Sequence, residues 1–198
     1  MDAEPGDGLE RALDATGRLV AGVREEQWPD PTPCPDWNVG DLVSHIIAGN
    51  LLFAGILRGE RPGTPGDGPG QRGSDLPGAY RQAASELLAA FSRPGVLEEV
   101  FSVPFGTVPG AVALHLRITE LLVHGWDLAR ATGQRARFPD GLAEQELSFS
   151  RRALGGIPAG RRPFGPPQSA AADAPAIDRL AACLGRTVTW DSGLGGGS

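Results

Sequence analysis

The chain has no lysine: every one of its 18 basic residues is an arginine. Alongside 29 glycines and 18 prolines, that is the residue usage of a high-GC genome rather than a structural demand. Cysteine is nearly missing as well, and Cys34 and Cys183 are too few to build a disulfide scaffold. Positive charge is in the minority, 18 basic against 24 acidic residues, for a net charge of −6. That balance excludes nucleic acid as a main partner, because phosphate binding needs an electropositive surface. Nowhere do roughly 18 apolar residues follow one another, the least a membrane span requires. The opening Met1-Asp2-Ala3-Glu4-Pro5 has neither the basic nor the apolar part of a signal peptide. The expectation is an acidic, cytoplasmic protein without a membrane partner. At 198 residues and 40% hydrophobic content, one domain over residues 1–190 is expected, with a flexible Gly-rich tail at 191–198.

What the chain has in quantity is apolar residues at helical spacing. Leu9, Leu13, Leu19, Val20 and Val23 mark a first helix, stopped by Pro29, Pro31, Pro33 and Pro35. A second begins at Asn38, a good N-cap with Asp41 as its capping-box partner, and continues through Val43, Ile46 and Ile47 to Leu57. Its second stripe, His45, Gly49, Leu52 and Ile56, predicts burial on more than one side. Residues 59–78 are rich in Gly and Pro and read as a mobile loop. Tyr80 to Phe91 predicts a third helix, about Pro109 to Thr132 a fourth that stops at Gly133, and about Pro139 to Leu154 a weaker fifth. A short last helix runs through Ile177, Leu180 and Leu184 and closes at Gly185. Val100-Phe101-Ser102-Val103 is strand-like, but no segment offers it a credible partner, so it reads as an extended connection. The expected fold class is all-α, a helical bundle.

Three histidines carry most of the available chemistry. Glu120 and His124 are four residues apart, one turn apart on the same helix face. His115 points roughly 140–180° away from them, given about 100° per residue, and reads as structural. Glu120 and His124 on one helix with His45 on another would give a carboxylate and two imidazoles, a recognised three-ligand set for a divalent metal. The spacing alone fits an ordinary helix-surface hydrogen bond as well. Asp127, one turn beyond His124, is suited to hydrogen-bond a ligand histidine or simply to join two helices. Cys34 is flanked by Asp30 and Asp36, so its sequence neighbours supply no positive charge to activate a thiol. Cys183 and Trp126 read as packing, and Arg161-Arg162 as a solvated pair.

Three segments carry a resemblance. Pro31-Thr-Pro-Cys-Pro-Asp-Trp-Asn-Val-Gly-Asp-Leu-Val-Ser-His45 resembles the TPCxxWxVxDLxxH opening of the mycothiol-dependent maleylpyruvate isomerase branch of the DinB-like superfamily. Glu120-Leu-Leu-Val-His124-Gly-Trp-Asp-Leu-Ala-Arg-Ala-Thr-Gly133 is similar to that branch's (D/E)xxxHxWDLAxAxG segment. Asp178-Arg-Leu-Ala-Ala-Cys-Leu-Gly-Arg186 resembles its closing DRLxxxxGR. The resemblance implies a DinB-like four-helix bundle, here with additional short C-terminal helices, and a divalent metal, zinc or nickel, held by His45, Glu120 and His124. Many members of the branch have Asp where Glu120 stands. The maleylpyruvate isomerases carry a further C-terminal α/β domain that contributes to their site and that a chain of this length is expected to lack, so their reaction is not implied.

The function the resemblance implies is metal-dependent thiol chemistry. A mycothiol-like low-molecular-weight thiol is the expected cosubstrate, and an electrophilic small molecule at the bundle mouth and the 59–78 loop is the expected partner. The outcome would be isomerisation if the thiol leaves again and transfer if it stays. Two alternatives stand beside it: a hydrolase or lyase working through metal-activated water, and a non-catalytic metal- or ligand-binding module that pairs as a homodimer through its bundle faces.

Overall fold

The computed structural model describes residues 5–60, 75–104, 106–155 and 164–189. Most of the Gly/Pro-rich stretch 59–78, the Arg161-Arg162 pair and the 191–198 tail lie outside the described residues.

Six α-helices make up the bulk of these residues. They are α1 (Pro5–Ala21), α2 (Val39–Leu57), α3 (Leu76–Phe91), α4 (Gly110–Thr132), α5 (Asp140–Gly155) and α6 (Ala176–Cys183). The first four close a ring in which α1 packs on α3 and α4, and α2 packs on α3 and α4. The pair α5–α6 lies against α4 on the outside. The chain is therefore all-α in class, a four-helix bundle with two further C-terminal helices.

Helix ends follow local chemistry. Asn38 caps α2 by accepting from the Asp41 N–H at 2.8 Å, and the Asp41 carboxylate accepts in return from the Asn38 N–H. Asp75 caps α3, accepting from the Gly78 N–H at 2.7 Å, with Pro77 in the first turn. That cap starts α3 at Leu76, inside the stretch read from sequence as loop. α4 stops at Gly133, whose φ of 69° no β-carbon has to tolerate.

α4 is the central helix: 17 of its 23 residues are buried, on all sides, because it meets α1, α2, α5 and α6. Leu121, Leu122, Val123 and Leu128 are fully buried there, each contributing about 1.5–3 kcal/mol of transfer free energy. α2 is long and apolar enough by composition to cross a membrane, yet 56% of that window is buried in the bundle. Its apolar side is used as core.

One expectation is corrected. Val100–Val103 (β1) does have a partner: it pairs antiparallel with Gly106–Pro109 (β2), Phe101 opposite Val108 and Ser102 opposite Thr107. Phe101 and Val103 face inward and join the core while their neighbours point out, which is why so short a hairpin holds.

Candidate metal centre

The site forms where the first half of α2 faces the middle of α4. His45 Nε2 and His124 Nε2 both approach the same atom, Glu120 Oε2, at 3.5 and 3.3 Å. The two imidazoles stand edge to face with centroids 5.0 Å apart. One ligand atom from each of the three residues lies within 4.8 Å of the other two. Glu120 and His124 meet because four residues make about one turn; His45 joins them because α2 packs on α4. Trp37, just before the α2 cap, lies over His45 with ring centroids 4.4 Å apart.

A second group of side chains orients the first. His124 Nδ1 is 3.1 Å from Asp127 Oδ2, so that carboxylate can accept the Nδ1 proton and leave Nε2 turned toward Glu120. Asp127 is fully buried. Its two oxygens also accept from Arg186, Nε to Oδ1 at 3.1 Å and Nη2 to Oδ2 at 2.8 Å. The Cys34 thiol donates to Asp127 Oδ2 at 3.2 Å and lies 3.2 Å from Arg186 Nη2. Behind Glu120, at 4.0 Å, stands the buried guanidinium of Arg117, which donates to Asn50 Oδ1 and to the Ile46 carbonyl.

These contacts set the charges. Burial pushes the Glu120 carboxyl up, but hydrogen bonds from His124 and His45 and the charge of Arg117 reverse this and hold it well below the usual carboxylate range. Burial likewise pushes His124 down, and the bonds to Asp127, Cys34 and Glu120 reverse that, holding the imidazole well above its ordinary value. Asp127 is lowered against its own burial by His124 and Arg186.

A cavity of about 890 Å³ opens onto the three ligands. Its walls include Thr32, Cys34, Trp37, Phe164 and Arg186. The Thr32 hydroxyl accepts from the Cys34 N–H and sits 2.9 Å from the Trp37 carbonyl, which fixes the Pro-rich turn carrying both wall residues. Residues 59–60 follow α2 at its far end, since Leu57 lies 12 residues beyond His45, about 18 Å along a helix.

The donor set fits a divalent metal. Two imidazoles and a carboxylate suit zinc, nickel or iron and leave positions open for a further ligand. The carboxylate behind His124 is the partner that ligating histidines ordinarily have.

Residues 9–129 match the protein family described as the mycothiol maleylpyruvate isomerase N-terminal domain. The chain belongs to this family. Two uncharacterized proteins of Mycobacterium tuberculosis, from strains CDC 1551 and ATCC 25618, are each 38% identical over 180 residues, 90% of this chain and 96% of theirs. Crystal structures of the mycothiol-dependent maleylpyruvate isomerase and of a His-to-Ala variant share the fold. Their TM-scores are 0.61 and 0.59 at 16% and 17% identity, covering 74% of this chain and 69% of the isomerase. The family match ends at residue 129, so α5, α6 and Arg186 lie beyond it.

Of the residues singled out in the sequence, His45, Glu120, His124 and Asp127 come together here. His115 does not: its Nδ1 lies 2.8 Å from buried Glu146, and its ring stacks on Phe149. Cys34 is a correction. Its sequence neighbours are acidic, but the fold brings Arg186 against it from 152 residues away. Arg117 was missed too. Its one signal is a cation set between Leu116 and Ile118, one turn before Glu120, facing a Gly-Asn pair on α2.

Proposed function

We propose that this protein is a divalent-metal-dependent enzyme that activates a mycothiol-like thiol for addition to, or isomerisation of, an electrophilic small molecule. The observation that carries this reading is the convergence of His45 Nε2 and His124 Nε2 on one oxygen of Glu120, at the floor of an open cavity. A divalent ion bound there would stabilise a thiolate at neutral pH, as metals do for coordinating thiols.

The chain's own residues supply the rest. Two neutral imidazoles and one carboxylate leave a formal charge of +1 on a divalent ion, so the open position favours an anionic ligand. Arg117, behind Glu120, adds positive potential from a side that water does not reach. Trp37 and Phe164 give the cavity apolar walls that can receive the carbon skeleton of an electrophile and exclude water from it. Family membership supports thiol chemistry in general, and the mycothiol dependence of the related isomerase supports mycothiol as the thiol. The proposed place is the cytoplasm, where low-molecular-weight thiols stay reduced.

The test is metal analysis of the purified protein, then mycothiol titration of the metal-loaded chain. About one ion per chain is expected, with thiol binding accompanied by proton release near neutral pH. His45→Ala should abolish both. A loaded protein that ignores thiols but hydrolyses an ester or amide would replace this reading with water activation. One that does neither would leave a binding module.

A further inference from the structure

Arg186 follows the last helix, beyond residues 9–129 that match the family and at the end of the Asp178–Arg186 segment that resembles the branch, and its side chain is nine-tenths buried at the candidate ligand cluster. The turn that delivers it is specific. Past α6, the Gly185 N–H donates to the Ala182 carbonyl and the Arg186 N–H to the Ala181 carbonyl, each at 3.0 Å. That is the paired bonding of a Schellman turn. Gly185 has φ of 91°, and a β-carbon on it would lie 2.8 Å from the Gly165 backbone. Only glycine suits both conditions. Reversed by this turn, Arg186 lays its side chain beside Phe164 and grips Asp127 with two nitrogens.

Asp127 accepts from three side chains, but they do not constrain it equally. The Cys34 thiol and His124 Nδ1 both reach Oδ2, while Oδ1 is held, among the described residues, by Arg186 alone. Without Arg186 the carboxylate could pivot about its Oδ2 contacts. It would also be a buried anion with no permanent cation beside it, since His124 must be neutral to act as a ligand.

We propose that Arg186 is a positioning residue: by fixing both oxygens of Asp127 it locks the His124 imidazole with its proton on Nδ1 and its Nε2 lone pair directed at the metal position shared with His45 and Glu120. The C-terminal helix thereby completes a centre whose ligands all come from α2 and α4. This role rests on the metal reading above.

The experiment compares the full-length protein with Arg186→Ala, Arg186→Lys, Asp127→Asn and Asp178→Ala. Asp178 lies at the other end of α6 and accepts from Trp126 Nε1 at 2.7 Å, so its loss loosens the docking of α6 without touching Asp127. Zinc affinity is measured by competition with a chelator. The hydrogen-bonded Nδ1 proton of His124 is followed in spectra of the metal-free, 15N-histidine-labelled protein, which has only three histidines. Arg186→Ala and Asp127→Asn should weaken zinc binding by about 10- to 100-fold and lose or broaden the Nδ1 proton signal. Arg186→Lys, with charge but no two-point grip, should fold and bind zinc with intermediate affinity. Asp178→Ala should lower the melting temperature and leave zinc affinity and the signal intact. Wild-type zinc affinity in Arg186→Ala, or an equal loss in Asp178→Ala, would overturn the assignment. If the wild type takes no metal, the metal reading fails, and the Nδ1 signal still reports whether Arg186 holds Asp127 and His124.

Discussion

Arg117 Nε donates to Asn50 Oδ1 at 3.0 Å, one buried polar side chain on α4 meeting another on α2. Together with the bond from Arg117 Nη2 to the Ile46 carbonyl, this joins the two helices that carry His45, Glu120 and His124. A buried guanidinium is costly to desolvate, and burial pushes its pKa down while Glu120 opposes that shift. Removing it from a site built around it costs more.

Arg117→Met should therefore destabilise the fold. It strands the Asn50 side chain, whose Nδ2 already has no partner among the described residues, and frees the Ile46 carbonyl. Each buried group left unpaired costs about 1–3 kcal/mol. Urea unfolding measures the loss. Adding Asn50→Leu should recover part of it, because the second orphaned group is then gone. A midpoint unchanged in the single variant would show that Arg117 ties nothing.

His124→Ala should abolish stoichiometric metal uptake, whereas His115→Ala should leave it intact. His115→Ala nevertheless has a structural cost. It removes one partner of Glu146, a fully buried carboxylate that otherwise keeps, among the described residues, only the Thr119 hydroxyl. A lowered melting temperature with full metal content is expected. Equal loss of metal in both variants would contradict the placement of the centre.

The pH dependence of the metal-free protein has two limbs. His124 is raised in the fold, so its contribution to stability is complete below its unfolded value of about 6.5 and is lost as pH rises through the raised folded value. Glu120 is lowered, so its contribution is present above its unfolded value of 4.5 and is lost as pH falls through the depressed folded value. Denaturation midpoints recorded across pH should fall on both sides of a plateau. Because metal entry must expel the His124 proton, affinity should tighten as pH rises, with about one proton released per ion. Calorimetry in two buffers of different ionisation heat counts that proton, and a count of zero would contradict a charged His124.

Gly185→Ala should be more damaging than its size suggests. It places a β-carbon in a left-handed conformation and against the Gly165 backbone at once. Strain of about 1–3 kcal/mol is expected from the backbone alone. The melting temperature reads the strain, and zinc affinity reads whether Arg186 has been carried away from Asp127.

Local signals in the sequence were sufficient for local structure. Asn38 with Asp41 marks the start of α2, and Gly133 marks the end of α4, because caps and left-handed stops are decided by adjacent residues. Glu120 and His124 share a face by helical geometry alone; His45 could be set beside them as a candidate third ligand, and it took a resemblance to favour that set over an ordinary helix-surface hydrogen bond. Contacts set by tertiary packing left no such mark. β1 and β2 are four residues each, too short to show alternation, and Pro104 between them reads as an interruption. α3 begins earlier than its apolar pattern because Asp75 caps it from within a run of Gly and Pro. Cys34 looks surrounded by acid along the chain and touches an arginine in space. Arg186 is 59 residues from Asp127, and no spacing rule reaches that far.

That separation also sets a schedule. A ribosome adding about 5–20 residues per second needs roughly 3–12 s to travel from Asp127 to Arg186. During that interval all three side chains of the candidate metal centre have already been made, while the carboxylate behind His124 still lacks its guanidinium. If the three side chains bind a cation as proposed, the guanidinium that steadies Asp127 is the last part of the centre to be synthesised, and firm capture would wait for the α6 turn.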